Sequence, residues 1–463
     1  MDAVDRESAL STEVLIARAG AAVARSAIEM LGGTYRRRVV VVAGKGNNGA
    51  DGRVAAARLA SRGVRIEVVD AEVQAPKPLP PCDLVIDAAY GTGYRGQYRA
   101  PATGAALVLA VDLPSGVDAD TGEAAATAVV ADRTVTFAAL KPGLMLGAGL
   151  ARAGVVEVAD IGLDVSRARA WVVEADDVAA WWPRRDRESH KWASAVWVVA
   201  GSPGMTGAAS LCAAAAMRTG AGMVRVGVPG AHPPDLPIEA VGATLPAAGW
   251  DTDVLGDLAR FGALVMGPGL SVTSDNVGSG RRLAAQAEPA MVIDAGGLDI
   301  LGNAEETAAV IRDRGRPTVL TPHDGEFRRL AKRLEVAEAG PDSLLLAAGP
   351  PPVDRISTTR DLARRTGAVV LRKGPTTVVA DPKGIAYLTV AIDSRLATAG
   401  TGDVLAGVIA ALLSGGLSGI RAAAGGAFVH ARAAELGWSD GLVASDVVGH
   451  LPAAVNALLA RRR

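Results

Sequence analysis

The chain has 463 residues, with 48 Lys plus Arg against 49 Asp plus Glu and a formal charge of −1, a length for two or three domains of about 150 residues and a balance that excludes polybasic capture of nucleic acid or a membrane surface. Hydrophobic residues make up 49% but aromatics only 3%, so the mean hydropathy of +0.25 comes largely from Ala and Val. The longest apolar run, Val404 to Leu413, is short of the roughly 20 residues a membrane span needs and predicts a buried helix. The start, Met1-Asp2-Ala3-Val4-Asp5, is acidic where a secretory leader is basic. Two cysteines, Cys82 and Cys212, stand far apart with no CxxC pair and no zinc spacing, so a cytoplasmic, reduced enzyme is the expectation.

Short Val/Ile-rich runs alternate with Ala-rich helical stretches, which predicts an α/β fold with parallel sheets. In chain order, a helix is predicted before Tyr35, then strands at 38–43, 65–69, 84–87, 106–112 and 133–137. The first strand runs into Gly44-Lys45-Gly46-Asn47-Asn48-Gly49-Ala50-Asp51-Gly52 and a helix. Glycines there let backbone approach a phosphate, and the helix start offers unpaired N–H groups; a tight turn alone also favours Gly and Asn. Two later strands end in Asp87-Ala88-Ala89-Tyr90-Gly91-Thr92-Gly93 and Val111-Asp112-Leu113-Pro114-Ser115-Gly116. The carboxyl ends of parallel strands line one crevice, so these residues are predicted to converge. Asn48, Asp87 and Ser115 would be oxygen donors suited to a monovalent cation rather than zinc, while Asp87 and Asp112 also suit plain turn capping.

The motifs GxGNNGxDG, DAxxGTG, VDLPSGVDADTG and ALKPGLxxG, in that order, resemble the NAD(P)H-hydrate epimerase domain, a Rossmann-like fold. The resemblance implies that Asn48, Asp87 and Ser115 bind potassium, and that Asn47, Asn48, Gly49, Ala50 and Asp51, with Gly91, Thr92, Gly93, Tyr94, Arg95, Gly96 and Gln97, hold the hydrated nucleotide. Asp112 is implied as the residue that contacts the hydrate and moves the proton interconverting its R and S forms. Two departures stand out: Ala50 replaces the usual second glycine of NNGGD, and only Tyr98 to Ala105 separate the GTG loop from the next strand. A crossover needs about a dozen residues, which predicts a local rearrangement of the sheet.

A domain boundary is expected after Gly162, with residues 1–165 as the first domain, 166–190 as a linker and 191–463 as the second domain. Beyond it, strands are predicted at 195–200, 223–228, 263–266, 291–294, 318–321, 369–373 and 377–380, too many for one ordinary sheet. Ala397-Thr398-Ala399-Gly400-Thr401-Gly402-Asp403 opens the apolar run. Gly400 and Gly402 would expose N–H groups to an anion, with Asp403 beside them as a proton acceptor. The competing reading is a helix cap.

AGSxGMTGAA, GPGL, TPHxGE, KGxxT and ATAGTGD, in order, resemble the ADP-dependent NAD(P)H-hydrate dehydratase domain, related to the ribokinase-like fold. The fusion of the two resembles bifunctional NAD(P)H-hydrate repair enzymes. It implies that Lys373, Gly374, Pro375, Thr376, Thr377, Gly400 and Gly402 contact ADP, and that Ala208, Gly269, His323 and Asp403 contact the hydrate, with Asp403 catalytic and Mg2+ arriving with the nucleotide. His323 also fits a turn in which it bonds nearby backbone. Trp192, Gly296, Asp299 and Asp393 depart from the family pattern, and each is expected to border the hydrate. The expected partners are NADHX, NADPHX and ADP, with no nucleic acid or membrane; a homo-oligomer is left open. Two alternatives stand beside this reading: a ribokinase-like kinase of a vitamin precursor with a degenerate N-terminal domain, and a non-catalytic nucleotide sensor.

Overall fold

The computed structural model describes residues 10–74, 78–94, 98–232, 236–301, 304–334, 354–391 and 393–462. They form two compact units, one up to Ala168 that also takes Asp354, and one of the other described residues from Arg169 onward. Among the described residues no helix is long and apolar enough to cross a membrane.

The first unit is a six-stranded sheet of β1 (Arg38–Ala43), β2 (Arg65–Asp70), β3 (Leu84–Ala88), β4 (Leu107–Val111), β5 (Arg133–Phe137) and β6 (Val155–Ala159), in the order β2-β1-β3-β4-β5-β6. Every pairing is parallel. The order reverses between β1 and β3, the point where ligands gather in such sheets. Helices α1 (Thr12–Leu31) and α2 (Asn47–Ala60) pack Ala19, Val23, Ala27, Ala55 and Leu59 onto one face, against Val39, Val41, Ile86 and Leu109.

The expected rearrangement after β3 does not occur: β3 and β4 are parallel neighbours in register, Leu84 opposite Leu107. The crossover is the whole segment 89–106, long enough for a parallel connection, and its described residues contain no helix. Tyr98, Val129 and Ala131 are buried there against Val42, Val85, Val108 and Ala110, with Tyr90 and Tyr94 alongside. The rings of Tyr90 and Tyr94 lie 4.3 Å apart, and that of Tyr98 is 5.2 Å from Tyr90, edge-on. Three aromatics thus supply the apolar area a helix would have buried.

The second unit is a ten-stranded sheet of β7 (Ala170–Val172), β8 (Ala195–Val199), β9 (Met223–Pro229), β10 (Val241–Leu245), β11 (Ala263–Met266), β12 (Ala290–Ile293), β13 (Thr318–Leu320), β14 (Val369–Arg372), β15 (Thr376–Ala380) and β16 (Ala386–Val390), in the order β10-β9-β8-β11-β12-β13-β14-β15-β16-β7. Only the β14–β15 and β15–β16 pairs are antiparallel. Residues 166–190, expected to be a linker, instead place β7 beside β16 and form α3 (Ala175–Trp181), with Val173, Val178 and Trp182 in the core.

Helices α4 (Gly207–Thr219), α5 (Thr401–Ser414), α6 (Gly419–Glu435) and α7 (Ala444–Ala460) cover one face with α3. The run Val404 to Leu413 is buried throughout, as its composition predicts. Gly407 lets α5 touch α4, since a Cβ there would stand 2.2 Å from the Cys212 carbonyl oxygen.

Candidate active sites

In the first unit the carboxyl ends of β1, β3, β4 and β5 open on a cavity of about 710 Å³. Asn47, Asn48, Asp51, Gly91, Thr92, Gly93, Tyr94 and Asp112 line it, with Lys45, Glu72 and Lys141, so the three predicted strand ends converge. Gly49 and Ala50 are not lining residues, and the methyl group of Ala50 takes no cavity space. Gly49 serves the turn itself, because a Cβ there would stand 1.9 Å from the Gly44 carbonyl oxygen. Arg95, Gly96 and Gln97 lie outside the described residues.

Asp112 follows β4 with φ of +68°, a left-handed conformation that an Asp holds only when its surroundings fix it. Lys141 Nζ lies 2.5 Å from Asp112 Oδ1, Thr136 Oγ1 donates to the same oxygen at 3.1 Å, and Lys141 donates to Thr136 Oγ1 and the Phe137 carbonyl at 2.9 Å each. Both members of the pair are buried. Lys141 was missing from the predicted site, although a lysine inside Ala138-Ala139-Leu140-Lys141-Pro142-Gly143 is the kind of isolated charge that signals a buried partner. Asp51 is also buried, and burial first, then the charge of Asp112, pushes its carboxyl up to about 8.

Asp87 and Ser115 lie beneath the cavity, 2% and 1% exposed. Ser115 donates to Asp87 through its backbone N–H at 2.8 Å and its hydroxyl at 2.7 Å, and the Tyr90 N–H donates to the hydroxyl at 2.9 Å. Burial pushes the Asp87 carboxyl up to about 6. Asn48 stands against Gly91, where a Cβ would be 3.4 Å from its amide carbon, and its buried amide N and O atoms have no hydrogen-bond partner. An orphaned amide is expensive unless something else binds it.

In the second unit, Gly400 caps α5 at φ of +87°, and the Thr401 hydroxyl pins the loop by donating to the Leu396 and Thr398 carbonyls at 2.9 Å each. Lys373 Nζ donates to Asp294 Oδ1 at 2.8 Å, which also accepts from Thr321 Oγ1 at 2.7 Å. A Cβ on Gly402 would lie 3.3 Å from Lys373 Nζ and 3.7 Å from Asp294 Oδ2, so KGxxT and GTGD meet around Asp294, a residue missing from the predicted site. Burial, then the charge of Asp294, pushes the Asp403 carboxyl up to about 6, against the pull of Lys373. Burial opposes the charge on Lys373, but Asp294 outweighs it and its pKa is raised.

The Pro375 carbonyl accepts from the Ala391 N–H at 2.9 Å, and Thr377 Oγ1 donates to the Gly374 carbonyl at 3.4 Å, which ties this segment into the β15–β16 hairpin; Thr376 begins β15 and is buried. Ala208 and Gly269 adjoin, a Cβ on the latter falling 2.8 Å from that of Ala208. His323 behaves as the turn reading has it: its Nδ1 accepts from the N–H groups of Gly325 at 2.9 Å and Glu326 at 3.3 Å, and its ring remains largely exposed.

A family profile described as NAD(P)H-hydrate dehydratase matches residues 196–448, and one described as YjeF-related protein N-terminus matches residues 12–77 and 69–143. The bifunctional NAD(P)H-hydrate repair enzyme Nnr of Mycobacterium leprae is 38% identical over 97% of this chain and 96% of its own; that of Salinibacter ruber is 35% identical over 98% and 94%. The chain belongs to the bifunctional NAD(P)H-hydrate repair enzyme family. An ADP/ATP-dependent NAD(P)H-hydrate dehydratase from Bacillus subtilis, co-crystallised with ATP and Mg2+, is 28% identical with a TM-score of 0.50, covering 62% of this chain and 98% of that one. A ribokinase-like superfamily protein from Enterococcus faecalis, 17% identical with a TM-score of 0.50 over 64% of this chain and 98% of that one, shares the fold.

Against the family pattern, the four departures resolve differently. Trp192 precedes β8, at the strand ends opposite the GTGD loop, where its ring meets Phe261 edge-on and Arg260 lies 3.9 Å from its centre; the expectation that it borders the hydrate is corrected. Gly296 is forced by packing, because a Cβ there would stand 1.9 Å from the Leu270 carbonyl oxygen. Asp299 pairs with Arg329 at 3.2 Å. Asp393 pairs with Arg395 at 2.6 Å, and that hydrogen bond holds its carboxyl at about 2.

Proposed function

We propose that the chain repairs hydrated NADH and NADPH with two sites, the first interconverting the R and S hydrates and the second removing water from the S form at the expense of ADP. The observation that carries the dehydratase half is the meeting of Lys373, Asp294, Gly402 and Asp403 at the start of α5. Hydroxide leaves carbon poorly and phosphate leaves well. Asp403 takes the proton of the C6 hydroxyl as its oxygen attacks the terminal phosphoryl group of ADP, while the amides at Gly400 to Gly402 and the Lys373 ammonium face the charge that develops. AMP departs; the nitrogen lone pair then expels phosphate from C6, and loss of a C5 proton restores the ring. Ala208 and Gly269 would contact the hydrate, and Lys373 to Thr377 the nucleotide. His323 would reach the hydrate through its exposed Nε2 edge, which stands 3.5 Å from Glu326 Oε1.

Mg2+ would arrive on the nucleotide phosphates; among the described residues no group of three or more His, Cys, Asp or Glu could hold a metal ion. In the first site, Asn48, Asp87 and Ser115 would hold potassium. The unpartnered amide of Asn48 and the deeply buried carboxyl of Asp87 support that donor set. A bound potassium ion supplies positive charge beside Asp87. Asn47 to Asp51 and the Gly91 to Tyr94 loop would hold the nucleotide, Tyr90 and Tyr94 stiffening the loop. Asp112, oriented by Lys141 and Thr136, exchanges the proton of the C6 hydroxyl.

The direct assay is S-NADHX with ADP and Mg2+, followed by NADH absorbance. A parallel panel of hydroxylated vitamin precursors with ATP separates this reading from a kinase. NADH formation without phosphorylation of the panel supports repair; the reverse replaces it.

A further inference from the structure

We infer that Asp51 is the proton donor that works opposite Asp112 when the two hydrate epimers interconvert, an assignment that rests on the epimerase reading of the first unit. Asp51 lies in the first turns of α2, 7% exposed, and lines the same cavity as Asp112 and Lys141. It has no hydrogen-bond or ion-pair partner among the described residues, which is unusual for a carboxyl taken out of water. Asp112, by contrast, is held by Lys141 and Thr136. Two carboxyls at one cavity, one paired with a cation and one with nothing, are the arrangement in which one stays ionised and the other keeps its proton.

The surroundings bear this out group by group. Helix α1 presents only Thr12, Leu15, Ile16 and Ala19 to the cavity. At the rim Lys45 and Glu72 neutralise each other at 2.7 Å, and the loop after β3 adds the phenols of Tyr90 and Tyr94. Among the described residues no cation is paired with Asp51, and burial together with the charge of Asp112 pushes its carboxyl up to about 8.

The reaction needs both an acid and a base. Asp112 accepts the proton of the C6 hydroxyl, the oxygen's electrons form the C6=O bond, the C6–N1 bond breaks, and its electron pair goes to N1, which takes the proton of Asp51. The open aldehyde turns about C5–C6, N1 adds to the opposite face, its proton returns to Asp51, and that on Asp112 returns to oxygen. Both carboxyls end as they began, and nothing is oxidised or reduced.

The test uses the full-length protein with pure R-NADHX and no ADP, following S-NADHX formation above the spontaneous rate from pH 6 to 9.5. Because Asp51 must carry its proton, wild-type kcat/KM should fall as pH rises through about 8. Asp51→Asn should lower kcat about a hundredfold with little change in KM and should abolish that alkaline limb, whereas Asp51→Glu should retain the limb at a reduced rate. An Asp51→Asn variant with full kcat and the limb in place overturns the proposal. So does a loss confined to KM in both variants, which marks a binding role. A wild-type protein that does not exceed the spontaneous rate overturns the epimerase reading itself, and the assignment with it.

Discussion

Asp403 must lose its proton before it can accept one, and with its carboxyl pushed up to about 6 by burial and Asp294 the dehydratase rate should fall as pH drops through that value. Asp403→Asn should lower turnover about a hundredfold or more, the scale of a lost general base, with ADP affinity near normal; stopped-flow NADH formation across pH 5 to 8 checks both. Asp294 is 2% exposed beneath Lys373. Asp294→Asn leaves that largely buried ammonium without its partner and should destabilise the second unit by about 3 kcal/mol, read from urea unfolding. Gly296→Asp restores the residue usual in the family, yet its Cβ would press on the Leu270 carbonyl at 1.9 Å; overpacking of that kind costs about 1–3 kcal/mol, so a melting temperature below wild type is expected. The motif residues were legible in the sequence because several motifs stand in a fixed order, although Gly, Asn and Asp at any one strand end also serve turns and caps. Lys141 and Asp294 were not, because their roles arise from pairing with Asp112 and Lys373, 29 and 79 residues away in the chain, a distance that no local pattern spans.

At the scale of elements, the parallel strands announced themselves as Val-rich runs, and the strands found fall close to where the runs predict. Of the strands not predicted, β6 is itself Val-rich, Val155-Val156-Glu157-Val158-Ala159, and stands at the expected domain boundary, while the other three lack that signal. β7 has three residues, β10 is an edge strand with a Gly and three exposed positions, and β16 is paired only because the Asp381-Pro382-Lys383-Gly384 turn folds it back on β15. The polar stretch around Arg184 obscured β7 and α3, whose Val173, Val178 and Trp182 are core residues. A chain beginning at residue 191 removes them and leaves β16 as an exposed edge. At about 1.5–3 kcal/mol per large buried side chain, it should unfold at a clearly lower urea concentration than one beginning at residue 165; equal midpoints would mean that these elements contribute nothing. The short crossover after β3 misled for a different reason: it was counted from Tyr98 and predicted a rearranged sheet, whereas the connection starts at Ala89 and three tyrosines pack on the sheet there.

For the whole molecule, the two sites belong to one task because hydration of a nicotinamide ring yields both epimers while the dehydratase uses one. With β3 and β4 in register and the cavity formed, the first site should keep pace with the second. The decisive measurement is therefore the complete time course of an equimolar R and S NADHX mixture with excess ADP and Mg2+, corrected for spontaneous epimerisation, on wild type and on Asp112→Asn. The account predicts that wild type converts the whole mixture to NADH, while Asp112→Asn converts the S half at the wild-type rate and the remainder only at the spontaneous rate. A wild-type reaction that stops at half the NADH, or an Asp112→Asn reaction indistinguishable from wild type, contradicts it.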